Sequence, residues 1–317
     1  MSLKPIENRD EWLADETSMR DELPDYWGGD WGCDSEVGAL RAVLLRRPGA
    51  EIEGVEDPGA CRWLQLMDPA KARDQHDALA GVYRAHGVTV HYLEQMRDDK
   101  PNALFLRDSV LMTPEGAIVG RQAMACRRGE ERFVAEALAR LGVPILRTVS
   151  GTGIFETACC LWIDAATVLM GSGNRANREG CRQVEEALRQ IGVERFLQLQ
   201  IPFGYAHIDG IVTFVDKRLA IVDPHHIPWD TLNSLRETGL RVLEAPATEE
   251  LPGLSLNGVA LSPGHIVMAS GNPATRRFIE DQGVQVTEVD VSELLKAWGS
   301  IHCMTGVLKR DAVGKLF

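Results

Sequence analysis

Apolar and polar residues along the chain repeat in one order: two strand-like runs joined by a tight turn, a helix-like stretch, and a short apolar run. Four strand pairs are recognisable, and they span Ser109–Val119, Cys159–Met170, Ile211–Val222 and Gly258–Ala269. Helical periodicity follows each pair near 130–141, 177–191, 227–238 and 274–283, and a glycine then ends it at Gly142, Gly192, Gly239 and Gly283. The period is roughly 50 residues, which is typical of a repeat architecture.

The opening segment has the same pattern but lacks one strand of its hairpin. A strand-like run at Leu40–Leu45 precedes a helical pattern at Pro69–Ala85 and an apolar run at Val88–Leu93. The apolar run after Cys303, Gly306–Lys309, would complete this hairpin. Head-to-tail closure removes exposed strand edges, so the pattern predicts an α/β ring of five ββαβ modules. The alternative is a chance similarity among α/β segments.

The domain organisation predicted from this pattern is simple. Residues 1–35 are acidic, contain tryptophan and lack clear periodicity, so they are expected to form an N-terminal tail on the surface. Residues 36–317 are expected to form a single catalytic domain, since no low-complexity linker interrupts them.

Composition narrows the class of partner. The formal net charge of -12 and pI of about 5.2 argue against nucleic acid or an anionic membrane and allow a small cationic substrate. No apolar run reaches membrane-spanning length, and the polar start is unlike a signal peptide. Seven cysteines without a CxxC pair predict reduced thiols and a cytoplasmic protein. No metal and no cofactor are expected, and a homodimer is left open.

Polar residues occur at the entrance of every predicted hairpin, and equivalent positions of a ring would face one central point. These residues are Asp108, Glu156, His207 with Asp209, Asn257 and Cys303. A thiol, a base and carboxylates that can hold a cation together support nucleophilic catalysis. Taken singly, Cys303 could be a small buried hydrophobe, His207 a core histidine, and the carboxylates solvated strand ends. Gly299 is expected to let a substrate approach Cys303.

Four motifs, in the order expected, resemble those of the guanidine-modifying enzymes. The resemblance extends from about residue 35 to the end of the sequence. That group contains arginine deiminases, dimethylarginine dimethylaminohydrolases and amidinotransferases. The motifs are Ser35-Glu36-Val37-Gly38 continuing to Arg47-Pro48-Gly49, Pro101-Asn102 continuing to Arg107-Asp108, His207-Ile208-Asp209, and His302-Cys303-Met304-Thr305. The resemblance implies a five-bladed α/β propeller of the pentein type, in agreement with the repeat.

The same resemblance implies roles for individual residues. Cys303 would be the nucleophile and His207 the general acid/base, with Glu156 as its partner or as a guanidinium ligand. Substrate binding would fall to Asp108, Asp209, Asn102, Asn257, Arg128 and Arg175. The last two resemble arginines that bind the α-carboxylate of the substrate in deiminases.

The chain departs from the family pattern at two places. Glu156-Thr157-Ala158-Cys159 stands where the family usually has Glu-Gly-Gly-Asp, and Trp298-Gly299 stands where it has a double glycine. The loss of the acid at Cys159 puts the local hydrogen bonding and the choice of substrate in doubt. The chain is also too short for the helical insertion of bacterial arginine deiminases.

Three functions are therefore weighed. The first is a hydrolase, deiminase-like or dihydrolase-like, that acts on the guanidinium of arginine or a related small guanidino compound through a covalent cysteine intermediate. The second is an amidinotransferase that passes the amidino group to an amine. The third is a guanidine-binding propeller without turnover.

Overall fold

The computed structural model describes residues 16–246 and 254–317, and within them fifteen strands form five sheets of three strands each. The strands are β1 Leu40–Leu45, β2 Thr89–Tyr92, β3 Val110–Thr113, β4 Gly116–Val119, β5 Ile145–Thr148, β6 Cys160–Asp164, β7 Thr167–Ser172, β8 Arg195–Gln200, β9 Val212–Asp216, β10 Leu219–Val222, β11 Arg241–Glu244, β12 Val259–Ser262, β13 His265–Ala269, β14 Gln285–Val289 and β15 Gly306–Arg310. The helices are α1 Met19–Tyr26, α2 Pro69–Ala85, α3 Glu130–Arg140, α4 Arg178–Gln190, α5 Trp229–Glu237, α6 Pro273–Glu280 and α7 Ile301–Met304.

Every sheet has the same internal order, an antiparallel pair followed by a parallel third strand. The sheets are β15-β1-β2, β3-β4-β5, β6-β7-β8, β9-β10-β11 and β12-β13-β14. In the first sheet Val43 lies opposite Val307 of the C-terminal strand and opposite Val90 of the parallel strand. The last strand of the chain therefore completes the opening hairpin, as the sequence pattern predicts.

Helix α2 shows how local sequence sets the helices that cover these sheets. Asp68 caps its N-terminus, because its carboxylate accepts hydrogen bonds from the amides of Ala70 and Lys71, and Pro69 occupies the first turn. One face is buried at helical spacing, through Ala72, His76, Leu79, Ala80 and Tyr83. The hairpin strands β3, β4 and β6 are wholly buried, whereas the parallel third strands β2, β5 and β8 are partly exposed, so the core is centred on the hairpins.

The amphipathic pattern from Val291 to Trp298 predicts a helix that leads into the Cys303 stretch, and this prediction is wrong. The segment contains only a 3₁₀ helix, Leu294–Ala297, which ends where Trp298 takes a left-handed conformation with φ 67°. A Cβ at Gly299 would overlap the ring of Phe105, so packing of that ring requires glycine here. Gly299 thus makes room for the ring of Phe105, and its expected role in admitting a substrate stays a prediction.

Part of the predicted N-terminal tail packs against the domain. Residues 1–15 lie outside the described residues, but α1 follows them and buries Leu23. Gly32 pairs with the C-terminal strand, since its amide donates to Leu308 O (3.1 Å) and its carbonyl accepts from Arg310 N (2.9 Å). In the described ranges no helix has the length and apolar character needed to span a membrane.

Candidate active site

A cavity of about 120 Å³ lies where the segments that precede β3, β9, β12 and β15 meet. Seven of the predicted site residues line it, and they are Asn102, Asp108, Arg175, His207, Asp209, Asn257 and Cys303. Each of the hairpin-entrance residues among them stands within a few positions of the strand that follows it. The repeat therefore brings chemically different side chains from distant parts of the chain to one place.

Cys303 lies on the single helical turn α7, and only 7% of its surface is exposed. Its Sγ is 3.6 Å from Oδ2 of Asp209, and its amide donates to Oδ1 of Asn257 (3.2 Å). Burial, followed by the charges of Asp209 and Asp108, raises the pKa of the thiol well above its usual value. The thiol is neutral in this environment, and a cation placed beside it would lower its pKa.

His207 is held between two carboxylates. Its Nε2 is 2.7 Å from Oε2 of Glu156, and its Nδ1 is 3.5 Å from Oδ1 of Asp108. Burial favours the neutral ring, but the charges of Asp108 and Glu156 outweigh it and raise the pKa of His207. The imidazole therefore keeps its proton to a higher pH than an unperturbed histidine does, which suits a group that must donate a proton to a departing amine.

Glu156 is fully buried and satisfied on every side. Burial would raise the pKa of its carboxyl group, but His207, Arg127 and Arg175 outweigh burial and lower that pKa. Arg175 donates to Oε1 (3.0 Å), and the amide of Ala123 donates to the same oxygen (2.9 Å). This carboxylate is therefore engaged in holding His207 and does not line the cavity.

Asp108 reaches the cavity with Oδ2 hydrogen-bonded and with Oδ1 3.5 Å from Nδ1 of His207, outside hydrogen-bond geometry. Arg127 donates to Oδ2 of Asp108, and the same guanidinium pairs with Glu130 (2.8 Å). Burial raises the pKa of Glu130 to about 7. Oδ1 of Asp108 is buried and has no hydrogen-bond partner within residues 16–246 and 254–317. A buried acceptor of this kind favours a ligand that brings N–H donors.

Asp209 is paired with a histidine to which the sequence assigned no role. Nδ1 of His302 is 2.9 Å from Oδ2 of Asp209, and Nε2 of His302 is 3.4 Å from Oε2 of Glu36. Burial opposes ionisation of Asp209, but the hydrogen bond and charge of His302 lower its pKa to about 2. Two features of the sequence could have indicated this contact. His302 is next to Cys303 along the chain, and Glu36 belongs to the first of the four motifs.

Of the two predicted arginines, Arg175 lines the cavity and Arg128 does not, which corrects the prediction for Arg128. Arg128 is exposed, and among the described residues its guanidinium donates a hydrogen bond to the carbonyl of Ala123 (3.4 Å) and to no other group. Its neighbour Arg127 is buried and lines the cavity instead. Cys159, the departure from the family acid, is buried with its Sγ 3.9 Å from Ala206 O.

Amide and apolar groups line the rest of the cavity wall. Asn102 accepts a hydrogen bond from Trp63 Nε1 and donates to Cys61 O (3.0 Å), so its amide is fixed in the wall. Apolar surface comes from Phe105, Met124, Tyr205, Leu254 and Trp298. A ligand with a cationic head and an aliphatic stem would match this distribution.

Asp108, Glu156 and His207 offer ligand atoms within 4.8 Å of one another, a spacing that could hold a metal ion. The two carboxylates already pair with Arg127 and Arg175, and His207 is bonded to Glu156. These contacts compensate the negative charge, so the cluster suits a protonated imidazole better than a metal cation.

Comparison with known proteins identifies the family to which the chain belongs. A family model described as N,N dimethylarginine dimethylhydrolase, eukaryotic, matches residues 65–310. The chain is 28% identical to an N(G),N(G)-dimethylarginine dimethylaminohydrolase of Streptomyces coelicolor, over 84% of this chain and 96% of the relative.

Solved structures share the fold at low identity. The dimethylarginine dimethylaminohydrolase of Pseudomonas aeruginosa, complexed with citrulline, has a TM-score of 0.71 at 22% identity and covers 86% of this chain and 100% of its own. An amidinotransferase of the saxitoxin biosynthetic pathway from Microseira wollei has a TM-score of 0.74 at 15% identity, with 90% and 98% covered.

Proposed function

The chain belongs to the N,N-dimethylarginine dimethylhydrolase family, and on that premise we propose that it hydrolyses a C–N bond of a small guanidino compound such as arginine. The observation that carries the proposal is the convergence of Cys303, Asp108, Asp209 and His207 on one cavity. A thiol beside two carboxylates and a protonated imidazole provides a nucleophile, a cation site and a general acid.

Binding would begin with the guanidinium between the two carboxylates. Oδ1 of Asp108 lacks a donor among the described residues, and Asp209 lies 3.6 Å from the thiol. Paired N–H donors of a planar cation satisfy such acceptors and fix the plane of the group. The central carbon would then face Sγ of Cys303, as a near-attack geometry requires.

The covalent steps follow from these positions. When the cation binds, the thiol of Cys303 loses its proton to solvent. The thiolate then attacks the guanidinium carbon, a C–N bond breaks, and the departing nitrogen takes a proton from His207 and leaves as an amine. An amidino-thioether on Cys303 remains. His207, now neutral, takes a proton from water, whose oxygen attacks the same carbon, and the C–S bond breaks to release a urea and restore the cysteine.

Activation of the nucleophile depends on the substrate in this scheme. The pKa of Cys303 is raised by burial and by the charges of Asp209 and Asp108, so the thiol does not ionise readily by itself. A guanidinium held by the same two carboxylates compensates their charge and stabilises the thiolate. Ionisation is therefore coupled to binding, which makes Cys303 more reactive toward cationic ligands than toward neutral ones.

The ring architecture and the single domain over 36–317 are part of the proposal. The first and second sheets touch through β15 and β3, Arg107 donates to Thr157 O (2.7 Å) between the second and third, and Thr231 donates to Gln198 O (2.8 Å) between the third and fourth. β12 contacts both β9 of the fourth sheet and β1 of the first. Five blades that close on themselves would produce this succession of contacts.

Mass spectrometry after incubation with a panel of guanidino compounds tests the proposed function. We expect an amidino adduct on Cys303 and release of ammonia or an alkylamine with formation of a urea. Product that acquires the amidino group only when an amine is added would indicate the amidinotransferase alternative. Binding without adduct or product would favour the non-catalytic alternative.

Substrate choice provides a second prediction. Asp108 and Asp209 together demand N–H donors, and a dimethylated nitrogen offers none, so arginine is expected to be preferred over asymmetric dimethylarginine. An unsatisfied buried carboxylate costs about 1–3 kcal/mol, or roughly ten- to a hundredfold in kcat/KM. Equal kcat/KM values, or a higher value for the methylated compound, would contradict this preference and favour the substrate after which the family is named.

The pH dependence of kcat/KM tests the role of Glu156. The pKa of His207 is raised, so the ring keeps its proton above its ordinary titration range and loses it as pH rises further, which lowers the rate. Glu156→Gln removes one of the charges that raises this pKa, so the alkaline limb should move to lower pH by about one unit. An unshifted limb in a folded variant would exclude His207 as the titrating acid.

A further inference from the structure

His302 connects Asp209, a buried carboxylate from the middle of the chain, with Glu36, a partly buried carboxylate near its start. Its Nδ1 lies 2.9 Å from Oδ2 of Asp209, its Nε2 lies 3.4 Å from Oε2 of Glu36, and 6% of the residue is exposed. Trp162 N donates to Oε1 of Glu36 (3.1 Å), which holds this carboxylate in place. Both ring nitrogens of His302 therefore face a carboxylate.

The position of Asp209 separates His302 from the reacting groups. Asp209 lines both the active-site cavity and a second, narrower cavity of about 10 Å³ behind it, whereas His302 lines only the second. Oδ2 of Asp209 meets the imidazole at 2.9 Å and Sγ of Cys303 at 3.6 Å. The route from the imidazole of His302 to the active-site cavity through side-chain contacts therefore runs through this carboxylate.

The charges around His302 favour a protonated imidazole. Burial opposes the imidazolium, but hydrogen bonds and charges of Asp209 and Glu36 raise the pKa of His302. Two cations lie on the far side of Glu36, Arg107 at 3.7 Å and Arg310, and both lower the pKa of that carboxyl group. Glu36 thus stays ionised and keeps its hydrogen bond to His302.

We propose that His302, anchored by Glu36, is a positioning residue that holds Asp209 in one orientation toward the cationic ligand beside Cys303. Among the described residues, two side chains donate to Oδ2 of Asp209. They are the imidazole of His302 and the thiol of Cys303, which is a weak donor. Without His302 the carboxylate could rotate or turn toward the thiol. The inference rests on the proposed function for the identity of the ligand and on these contacts for everything else.

Two neutral substitutions separate positioning from a merely structural role. The amide nitrogen of asparagine can take the place of Nδ1, so His302→Asn keeps a donor for Asp209 and loses the bond to Glu36. The amide nitrogen of glutamine can take the place of Nε2, so His302→Gln keeps the bond to Glu36 and leaves Asp209 without its donor. Both variants remove the same positive charge, so their difference reports on the donor to Asp209.

The readout compares two alkylating agents on Cys303. Chloroacetamidine is a cation with the shape of a guanidinium, and iodoacetamide is neutral; both leave a thioether on the sulfur. The ratio of their rates reports cation placement without any need for turnover. We expect His302→Gln to lower this ratio about tenfold or more and His302→Asn to lower it much less. His265→Gln, which can keep the bond to Thr287, is the matched control and should leave the ratio unchanged.

Turnover provides the second readout. His302→Gln should raise KM for the guanidino substrate more than it lowers kcat, and His302→Asn should recover most of the lost affinity. Equal ratios in the two variants, or losses that follow their melting temperatures, would overturn the inference. If no guanidine is turned over but the alkylation ratios separate as expected, the proposed function fails while the positioning role stands.

Discussion

Replacing Cys303 with alanine is expected to abolish turnover of every guanidino substrate while the protein still folds. No amidino-thioether can form without Sγ, and loss of a covalent nucleophile typically costs about ten-thousandfold or more in kcat. The removed atom borders the cavity, so little packing is lost. Steady-state rates and thermal unfolding of the purified variant check both parts of this expectation.

The matched control is Cys181→Ala, which removes a half-buried thiol outside the cavity wall. It should keep wild-type rates and form the same adduct on Cys303. Wild-type turnover in Cys303→Ala would refute the nucleophile. A large fall in melting temperature with an intact rate would instead identify Cys303 as a buried hydrophobic residue.

His207→Asn should produce the second largest loss. The substitution removes the proton donor for the departing amine and the acceptor for the attacking water, and general acid–base catalysis is worth about a hundred- to ten-thousandfold. It also leaves Glu156 without the imidazole at 2.7 Å, although Arg175 and the amide of Ala123 still bind that carboxylate. Single-turnover measurements should show slow formation and slow decay of the adduct.

An exposed histidine provides the comparison for this variant. His225→Asn alters a ring outside the cavity and should leave both phases of the reaction unchanged. Fast adduct formation with slow decay in His207→Asn would restrict His207 to the hydrolytic step. Unchanged rates for both steps would remove His207 from the mechanism and require another acid.

The repeat of apolar runs was sufficient to predict most of the secondary structure. The four central hairpins, the helix Pro69–Ala85 and the pairing of the C-terminal strand with the first strand all lie where the pattern places them. The resemblance to the guanidine-modifying enzymes, based on motifs at the hairpin entrances, is confirmed by the family match. The roles of Cys303, His207, Glu156, Asp108 and Asp209 remain predictions that the variants above test.

Strand and helix periodicity are local properties of the chain, so the pattern of apolar residues was enough to place the repeated elements and the polar residues at the hairpin entrances. Which of two neighbouring side chains faces the cavity depends instead on how the elements pack. Arg127 enters the cavity and Arg128 does not, since one position along the backbone changes the direction of a side chain. Likewise, Glu36 and His302 meet across 266 positions, and no local pattern encodes a contact that depends on how the first and last segments pack together.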